Sequence, residues 1–415
     1  MKRYCIVGNG VAAVGCIEGI RSQDPTGPIT VISREQYPVY CRPLISYYLE
    51  GRTDLQKIYY RPAGFYPENG CQVLYGRSAH VLDPIKRQIT LDDGTKTDYD
   101  ALCVAAGSAP AAPDFPGLEL VENKFTFLTL DDALALERAV RPDSRVLILG
   151  SGLIGLKCAE GLKDRAGQVT ICARSGQVLR RVLDEACARR VEDHLKANGI
   201  RLLFHEQPTS FEPHTAIMES GLREDFDVLV LALGVSPNSE LVSAAGGEVD
   251  RAIVTNERME TTLEAVFAAG DCAESYDPVT GSSQVLAIWP NAYQQGWCAG
   301  VNMAGGAASF DNPIPLNSIT LFGLSTMTAG TCYGPEQGGE VYAEDKEEGL
   351  KRLYSRDGYL TGFMLVGDTD RAGIYTALIR ERVPLDTIDY DAIKKSPSLL
   401  PFGRVYRSNA LGGVV

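Results

Sequence analysis

The sequence predicts an α/β fold: two helix-covered parallel sheets followed by a smaller α+β region. Three observations carry this reading. A buried-strand run, a glycine-rich turn, a helical stretch and a second strand occur in that order twice, about 140 residues apart. From about Pro313 the pattern changes to strands and turns, a helix around Arg371–Arg382, and a tail punctuated by Pro and Gly. At 415 residues the chain exceeds one ordinary core, so two to three domains are expected.

The first unit opens with Tyr4-Cys5-Ile6-Val7, turns at Gly8-Asn9-Gly10-Val11-Ala12-Ala13, continues as a helix to about Ser22, and reaches a second strand, Ile29-Thr30-Val31-Ile32. The second opens with Arg145-Val146-Leu147-Ile148-Leu149 and turns at Gly150-Ser151-Gly152-Leu153-Ile154-Gly155. Its helix runs to about Asp164, and strand Gln168-Val169-Thr170-Ile171-Cys172 follows. In such a turn the first glycine permits the bend, and the second lets backbone N–H groups approach a pyrophosphate. The third small residue lets helix and strand pack closely. The helix N-terminus adds partial positive charge. Both stretches therefore read as Rossmann-like, three-layer dinucleotide-binding units. One such turn is weak evidence; two, each within a hydrophobic β-α-β unit, are much stronger.

The residue after the second strand sharpens the ligand. Glu35 lies 22 residues beyond Ala13, where a carboxylate binds the hydroxyls of an adenosine ribose. In the second unit that slot holds Ala173 and then Arg174. Loss of the carboxylate removes a repulsion against a 2′-phosphate, and Arg174 is able to pair with one, which favours NADPH over NADH. The alternative is a solvated Arg174 and a site open to either nucleotide.

Between the units, residues 71–108 read as short strands and hairpins with a turn at Asp92-Asp93-Gly94. The Pro-rich segment 109–116 reads as a linker. Two later strands end in Gly234-Val235-Ser236-Pro237 and in Gly270-Asp271. Composition narrows the class. A net charge of −13 argues against nucleic-acid binding, which needs clustered Lys and Arg. No run approaches the ~18 apolar residues of a membrane span. Glycines 8 and 10 and Glu18 interrupt what would otherwise resemble a signal peptide. The eleven cysteines are odd in number and hold no CxxC pair, which points to reduced thiols in the cytoplasm. The four histidines lack metal-ligand spacing, so no protein-held metal is expected.

In order and spacing these pieces resemble the FAD-dependent pyridine nucleotide–disulfide oxidoreductase superfamily. More narrowly they are similar to its NAD(P)H:rubredoxin reductase and nitrite reductase flavin-domain branch. The resemblance rests on Gly8–Ala13 with Glu35, Pro38-Val39-Tyr40-Cys41-Arg42-Pro43-Leu44, Ala105-Ala106-Gly107-Ser108, Gly150–Gly155, Gly234–Asn238, Ala268–Ala273, Ala287–Ala292 and Val366–Thr369. It implies an FAD domain split between residues 1–112 and 242–312, an NAD(P) domain at 113–241, and a C-terminal interface or acceptor domain at 313–415.

It also implies roles. Gly8, Gly10, Val11, Ala12 and Ala13 would cradle the FAD pyrophosphate, Ala105, Ala106 and Gly107 would lie beside it, and Ala79 would contact adenine. Arg42 and Pro43 would lie near the flavin end. Gly270 and Asp271 would hold the ribityl and pyrophosphate region. Trp289, Asn291 and Ala292 would open a helix aimed at the flavin pyrimidine. Gly150, Gly152, Leu153, Ile154, Gly155, Arg174 and Gly234 would serve the NAD(P)H nucleotide.

Three departures stand out. Relatives place a lysine shortly after the Arg-Pro pair, and here the stretch is Leu44-Ile45-Ser46-Tyr47-Tyr48. Many place a glutamate after the second glycine turn, where Lys157 stands, with Glu160 one turn on. The acidic ribose-binding residue is missing.

The absence of a CxxC or CxxxxC pair excludes dithiol chemistry. That leaves a protein electron acceptor (rubredoxin, ferredoxin or an iron–sulfur subunit) as the implied partner, with a homodimer or a multi-subunit complex both open. The rival is a single-cysteine NAD(P)H peroxidase or oxidase, or a CoA-disulfide reductase, working through Cys41, whose neighbour Arg42 would lower the thiol pKa. A third reading is an electron-transfer subunit of a larger complex. From Arg371 to Val415, seven Lys/Arg against four Asp/Glu make the C-terminal region a candidate docking surface for an acidic partner, with a solvated helix and tail or a dimer interface as the alternatives.

Overall fold

The structure is a computed structural model that describes residues 1–277, 282–311 and 314–403. The chain forms two compact units. The first contains residues 1–113, 125–139 and 233–313; the second contains 114–124, 140–232 and 314–415.

In the first unit a parallel sheet runs in the order Val266–Ala268, Ala101–Val104, Tyr4–Val7, Ile29–Ser33, Cys71–Tyr75. The central strand Tyr4–Val7 is buried at all four positions and pairs in parallel with both neighbours. A strand covered on both faces has no reason to alternate, which is why these runs are continuously apolar.

Helix Val11–Gln23 follows the glycine turn and packs on helix Trp289–Met303 unusually closely. The contact is glycine against backbone on both sides. A Cβ at Gly15 would meet the Tyr293 carbonyl oxygen at 2.1 Å, and one at Gly19 would meet that of Trp297 at 2.3 Å. Reciprocally, Gly296 and Gly300 would collide with the carbonyls of Ala12 and Cys16 at 1.9 and 2.1 Å. Glycines four apart stack on one helix face, so the two pairs interlock. This ties residues about 280 positions apart and sets where the Trp289 helix begins. A small antiparallel sheet, Ala79–Asp83, Gln88–Leu91 and Lys96–Asp98, completes this unit with the ribbon Ser108–Pro110 and Val235–Pro237.

The second unit contains a parallel run in the order Ile200–Phe204, Gln168–Ala173, Arg145–Leu149, Val228–Leu231. It also contains the C-terminal antiparallel sheet, ordered Leu316–Leu321, Leu324–Gly330, Tyr359–Val366, Leu350–Arg356, Glu340–Asp345. Helix Ala372–Arg380, two residues shorter at its C-terminal end than the sequence suggests, covers that sheet around Leu353, Phe363, Tyr375 and Ile393. Arg352 is buried and ion-paired to Asp184 at 3.0 Å and to Asp345, so this sheet is joined to the nucleotide-type sheet's own elements.

The grouping differs from the expected three bodies. Residues 314–415 fall with the second parallel sheet, and helix Leu130–Ala139 falls with the first. Hydrogen bonds explain the latter: the Leu130 N–H donates to the Tyr40 hydroxyl (2.9 Å), and Tyr37 donates to Asp131 (2.7 Å).

Candidate functional site

In the first unit the site begins at the glycine turn. Gly8 holds φ +110, where side chains are strained, and a Cβ there would meet the Ala105 carbonyl oxygen at 2.0 Å. Gly10 caps helix Val11–Gln23 and borders open space, with no atom within 4 Å of a hypothetical Cβ. The helix has no side-chain cap and no acid in its first turn, so the N–H donors opening it at Val11, Ala12 and Ala13 are left for an anion. Asn9 is held by Tyr66, whose hydroxyl donates to it at 2.7 Å, and donates to the Tyr37 carbonyl at 3.3 Å.

A second helix N-terminus meets the first. Gly270 takes φ +81, and a Cβ there would lie 3.2 Å from the Ala12 Cβ and 3.6 Å from the Ala292 Cβ. Gly270 therefore sits between the opening turns of both helices. Helix Trp289–Met303 also lacks a side-chain cap and a first-turn acid; Trp289 opens it, and Asn291 and Ala292 are buried in its first turn. The Trp289 ring packs edge-on against Tyr60 with centroids 5.2 Å apart. Gln295, fully buried, accepts from the Gly270 N–H at 2.8 Å and locks this approach.

Asp271 follows directly. Its carboxylate accepts from the Ser108 hydroxyl at 3.0 Å. Burial pushes the Asp271 carboxyl above its usual range, and Ser108 and the Arg42 guanidinium oppose that shift. Behind it, Asn238 donates to the Ala106 carbonyl (2.8 Å) and its N–H to the Gly107 carbonyl (3.0 Å), fixing the chain at Ala105-Ala106-Gly107. Gly107, at φ +67, also borders open space.

Glu35, just past strand Ile29–Ser33, accepts from the Tyr40 hydroxyl at 2.6 Å and pairs with Arg42. Arg42 also donates to Tyr40 and to the Leu128 carbonyl, both at 3.1 Å. Burial opposes its charge, and Tyr40, Glu35 and Asp271 outweigh it, holding the guanidinium above its usual range. Arg42 thus stands against Glu35 while feeling the charge of Asp271, rather than only at the far end expected from sequence. Pro43 precedes the short helix Leu44–Leu49, and Ala79 opens its strand.

These residues fit a dinucleotide diphosphate and its sugars. Two uncapped helix ends supply donors, two glycines leave room no side chain fills, and carboxylates stand ready for hydroxyls.

Cys41 departs from its expectation. Burial raises its thiol, opposed by the Leu44 N–H, and Arg42 is committed to Glu35 and Tyr40 instead of activating it. No disulfide involves any of the eleven cysteines.

In the second unit Gly150 holds φ +116, and a Cβ at Gly155 would meet its carbonyl oxygen at 2.1 Å. Gly152 caps helix Leu153–Leu162, borders open space, and the helix lacks both side-chain cap and first-turn acid. Ile154 lies in that first turn. Strand Gln168–Ala173 ends at the expected carboxylate slot, and Arg174 is exposed with no ion pair among the described residues. Gly234 (φ +114) accepts from the Ala111 N–H at 2.9 Å and falls in the first unit.

Lys157 is turned inward: it pairs with the buried Glu160 and donates to the Thr320 carbonyl at 3.2 Å. Glu160 in turn accepts from the Phe322 N–H at 2.5 Å. The pair pins the C-terminal hairpin to this helix.

Sequence reasoning missed Tyr40, Ser108, Asn238 and Gln295 as parts of the first site. Tyr40, Ser108 and Asn238 lie inside motifs it quoted. Gln295 left one signal, its four- and seven-residue spacing from Asn291 and Asn302, which puts three polar residues on one buried helix face.

At the C-terminal surface several basic residues are already engaged. Lys394 pairs with Asp391 at 2.6 Å, and Arg382 lies over Tyr359; Arg404 and Arg407 lie outside the described residues. Among the described residues no cluster of three or more His, Cys, Asp or Glu suits a metal, and no helix is long and apolar enough to cross a membrane.

A family model described as pyridine nucleotide-disulphide oxidoreductase matches residues 2–296. The chain is 32% identical over 391 residues to the NADH-dependent phenylglyoxylate dehydrogenase subunit epsilon of Aromatoleum evansii, covering 92% of each. It is 31% identical over 300 residues to putidaredoxin reductase of Pseudomonas putida, covering 70% of this chain and 71% of that one. Among solved structures, an engineered water-forming NADPH oxidase bound to NADPH superposes with a TM-score of 0.85 at 22% identity, covering 93% and 92%. Its engineering made five substitutions: an aspartate, the alanine after it and the methionine after that became alanine, arginine and serine, a proline five positions beyond the serine became arginine, and a glycine 18 positions before the aspartate became alanine. At that identity the likeness establishes the fold alone.

Proposed function

The chain belongs to the pyridine nucleotide-disulphide oxidoreductase family and is an FAD-dependent NAD(P)H oxidoreductase; on that premise we propose that it carries electrons from NADPH to a protein acceptor. The acceptor is a small electron-transfer protein of rubredoxin or ferredoxin type, or an iron–sulfur subunit of a complex in which this chain is a component. The carrying observation is the meeting of two uncapped helix N-termini at Gly270, next to the half-buried Asp271.

FAD, when bound, supplies the chemistry of accepting a hydride and releasing electrons singly. The chain's own residues prepare for it. The amides opening at Gly10–Ala13 hold the diphosphate, and Glu35, prepositioned by Tyr40 and Arg42, binds the adenosine ribose. Arg42 balances the phosphate charge. Asp271 accepts from the ribityl hydroxyls: its desolvated carboxylate gains strong, charge-assisted hydrogen bonds in place of water. The opening of the Trp289 helix directs positive dipole at the flavin pyrimidine, which favours the reduced ring. The FAD domain is assigned to residues 1–112 and 242–312, with helix Leu130–Ala139 serving it, the nucleotide domain to 113–241, and the acceptor-facing domain to 313–415. We place the protein in the cytoplasm, a reading supported by eleven cysteines and no disulfide.

NADPH is favoured because Ala173-Arg174 removes a carboxylate from the ribose slot and adds a guanidinium. The run Ala173-Arg174-Ser175 with Arg180 also matches, in residue type and spacing, four of the five substitutions of the NADPH-bound oxidase, while Gly155 keeps the glycine that the fifth replaced by alanine. The relative from Aromatoleum evansii is named for NADH, so the two nucleotides must be compared directly.

Anaerobic stopped-flow provides the test. NADPH should bleach the flavin band at a lower half-saturating concentration than NADH, and a rubredoxin- or ferredoxin-type protein should restore it. A colourless protein that cannot be reconstituted with FAD overturns the flavin reading. Equal or better use of NADH overturns the NADPH preference.

A further inference from the structure

Asn9 stands between the two glycines of the first turn and spends its side chain on the neighbouring loop, residues 37–42. Its Nδ2 donates to the Tyr37 carbonyl at 3.3 Å, and its Oδ1 accepts from the Tyr66 hydroxyl at 2.7 Å. That hydroxyl in turn accepts from the Val39 N–H at 3.1 Å. The four groups form a closed circuit: the loop donates at Val39, Tyr66 and Asn9 pass the direction on, and the loop accepts again at Tyr37.

Only one arrangement of protons serves this circuit. A backbone N–H cannot accept and a backbone carbonyl cannot donate, so the hydroxyl must point at Asn9 and the amide nitrogen at Tyr37. Tyr66 is buried in the short helix Phe65–Glu68, and burial pushes its phenol up to about 12, which keeps the donor protonated at neutral pH. Its ring packs edge-on against Phe65, with centroids 5.3 Å apart.

The loop held in this way is the one that serves Glu35. Beyond Val39 it carries Tyr40, whose hydroxyl donates to Glu35 at 2.6 Å, and Arg42, which pairs with it. Tyr60 closes the loop from the other side, its N–H donating to the Val39 carbonyl at 2.9 Å. Tyr66, 57 positions along the chain from Asn9, therefore joins the turn at Gly8–Gly10 to the loop that orients the ribose carboxylate. Their spacing is set before a ligand arrives, which spares the ligand the cost of ordering them.

We propose that Tyr66, acting through Asn9, is a positioning residue for FAD that fixes the diphosphate turn and the Glu35 loop in register. This rests on the assignment of Gly10–Ala13 and Glu35 to FAD above, and adds a side chain that reaches the cofactor only through others.

The test dialyses the FAD-loaded full chain against graded FAD, alone or with ADP or 2′,3′-dideoxy-ADP as competitor. Bound flavin is the readout, so nucleotide held elsewhere does not contribute. Tyr66→Phe leaves the Asn9 oxygen and the Val39 N–H without their partner and should raise the Kd for FAD about tenfold. Asn9→Ala should do the same, and the double variant should lose no more than the larger single loss, because both open one circuit. In the parent, ADP should displace FAD more readily than 2′,3′-dideoxy-ADP does, since Glu35 binds the hydroxyls. Tyr66→Phe should shrink that preference roughly threefold or more. Phe65→Leu, which thins the packing but keeps the hydroxyl, should hold both quantities within about twofold of the parent. Losses that simply add in the double variant, or a Tyr66→Phe effect that Phe65→Leu matches, overturn the proposal and leave the flavin site standing. Equal displacement of FAD from the parent by ADP and 2′,3′-dideoxy-ADP shows instead that the Glu35 assignment has failed.

Discussion

Gly296→Ala isolates the contact that joins the two helix N-termini. In an open helix, Gly→Ala stabilises by about 1 kcal/mol through backbone entropy alone. At Gly296 the added Cβ would lie 1.9 Å from the Ala12 carbonyl oxygen, where ordinary contact begins near 3.4 Å. The obstacle is backbone on a fixed helix, so no side chain can rotate away. The helices must part by about 1.5 Å, and overpacking of this kind costs roughly 1–3 kcal/mol or more. The crossing also positions the Gly10 cap and the Trp289 helix opening, so the displacement reaches the flavin site. Gly296→Ala should therefore lower the temperature of flavin release, followed by FAD fluorescence, and weaken FAD binding at least several-fold. Release of flavin reports the first unit alone, which matters in a chain of two units. The control is Gly373→Ala in helix Ala372–Arg380, where no atom lies within 4 Å of the new Cβ. It should leave flavin release unchanged and stabilise slightly. If Gly296→Ala proves as stable as the parent and keeps its flavin, the close-crossing argument is refuted.

Three further outcomes follow from the two units. Asp271→Asn should weaken FAD binding about tenfold or more, measured by equilibrium dialysis. Because burial raises the Asp271 carboxyl above 3.8, the flavin-free protein holds the protonated group's full stability below that value. It loses this stability as pH rises through the raised one, and the Asn variant should lack that dependence in pH-resolved unfolding. Cys41→Ser should keep turnover with a one-electron protein acceptor within about twofold. Since burial raises this thiol, its alkylation rate in the parent should still be climbing at pH 9, where an ordinary thiol levels off, and rapid labelling at pH 7 would contradict the assignment. Lys157→Met strands the buried Glu160 and should destabilise the second unit by roughly 3 kcal/mol, read from hydrogen-exchange protection of residues 145–173. Adding Glu160→Gln should restore most of that loss, and a simple sum of the two effects would show that the pair is not coupled.

What the sequence determined by itself was local. A buried parallel strand must be apolar throughout, and a turn at φ +110 or +116 must be glycine, so Tyr4–Gly10 and Arg145–Gly152 announce themselves without any partner. Glu35 was legible for the same reason, being a short and fixed distance beyond its turn. The grouping of the chain was not, because periodicity tells which face of an element is buried and not which element covers it. The glycine pairs 15/19 and 296/300 carry no visible label for each other, and only their packing brings Ala12, Gly270 and Ala292 together. Arg42 illustrates the same limit: adjacency in sequence suggested Cys41 as its target, while the fold offered Glu35, Tyr40 and the Leu128 carbonyl instead. A side chain several bonds long bonds to whatever charge the tertiary structure brings near it, and that choice is made by contacts far away in the chain.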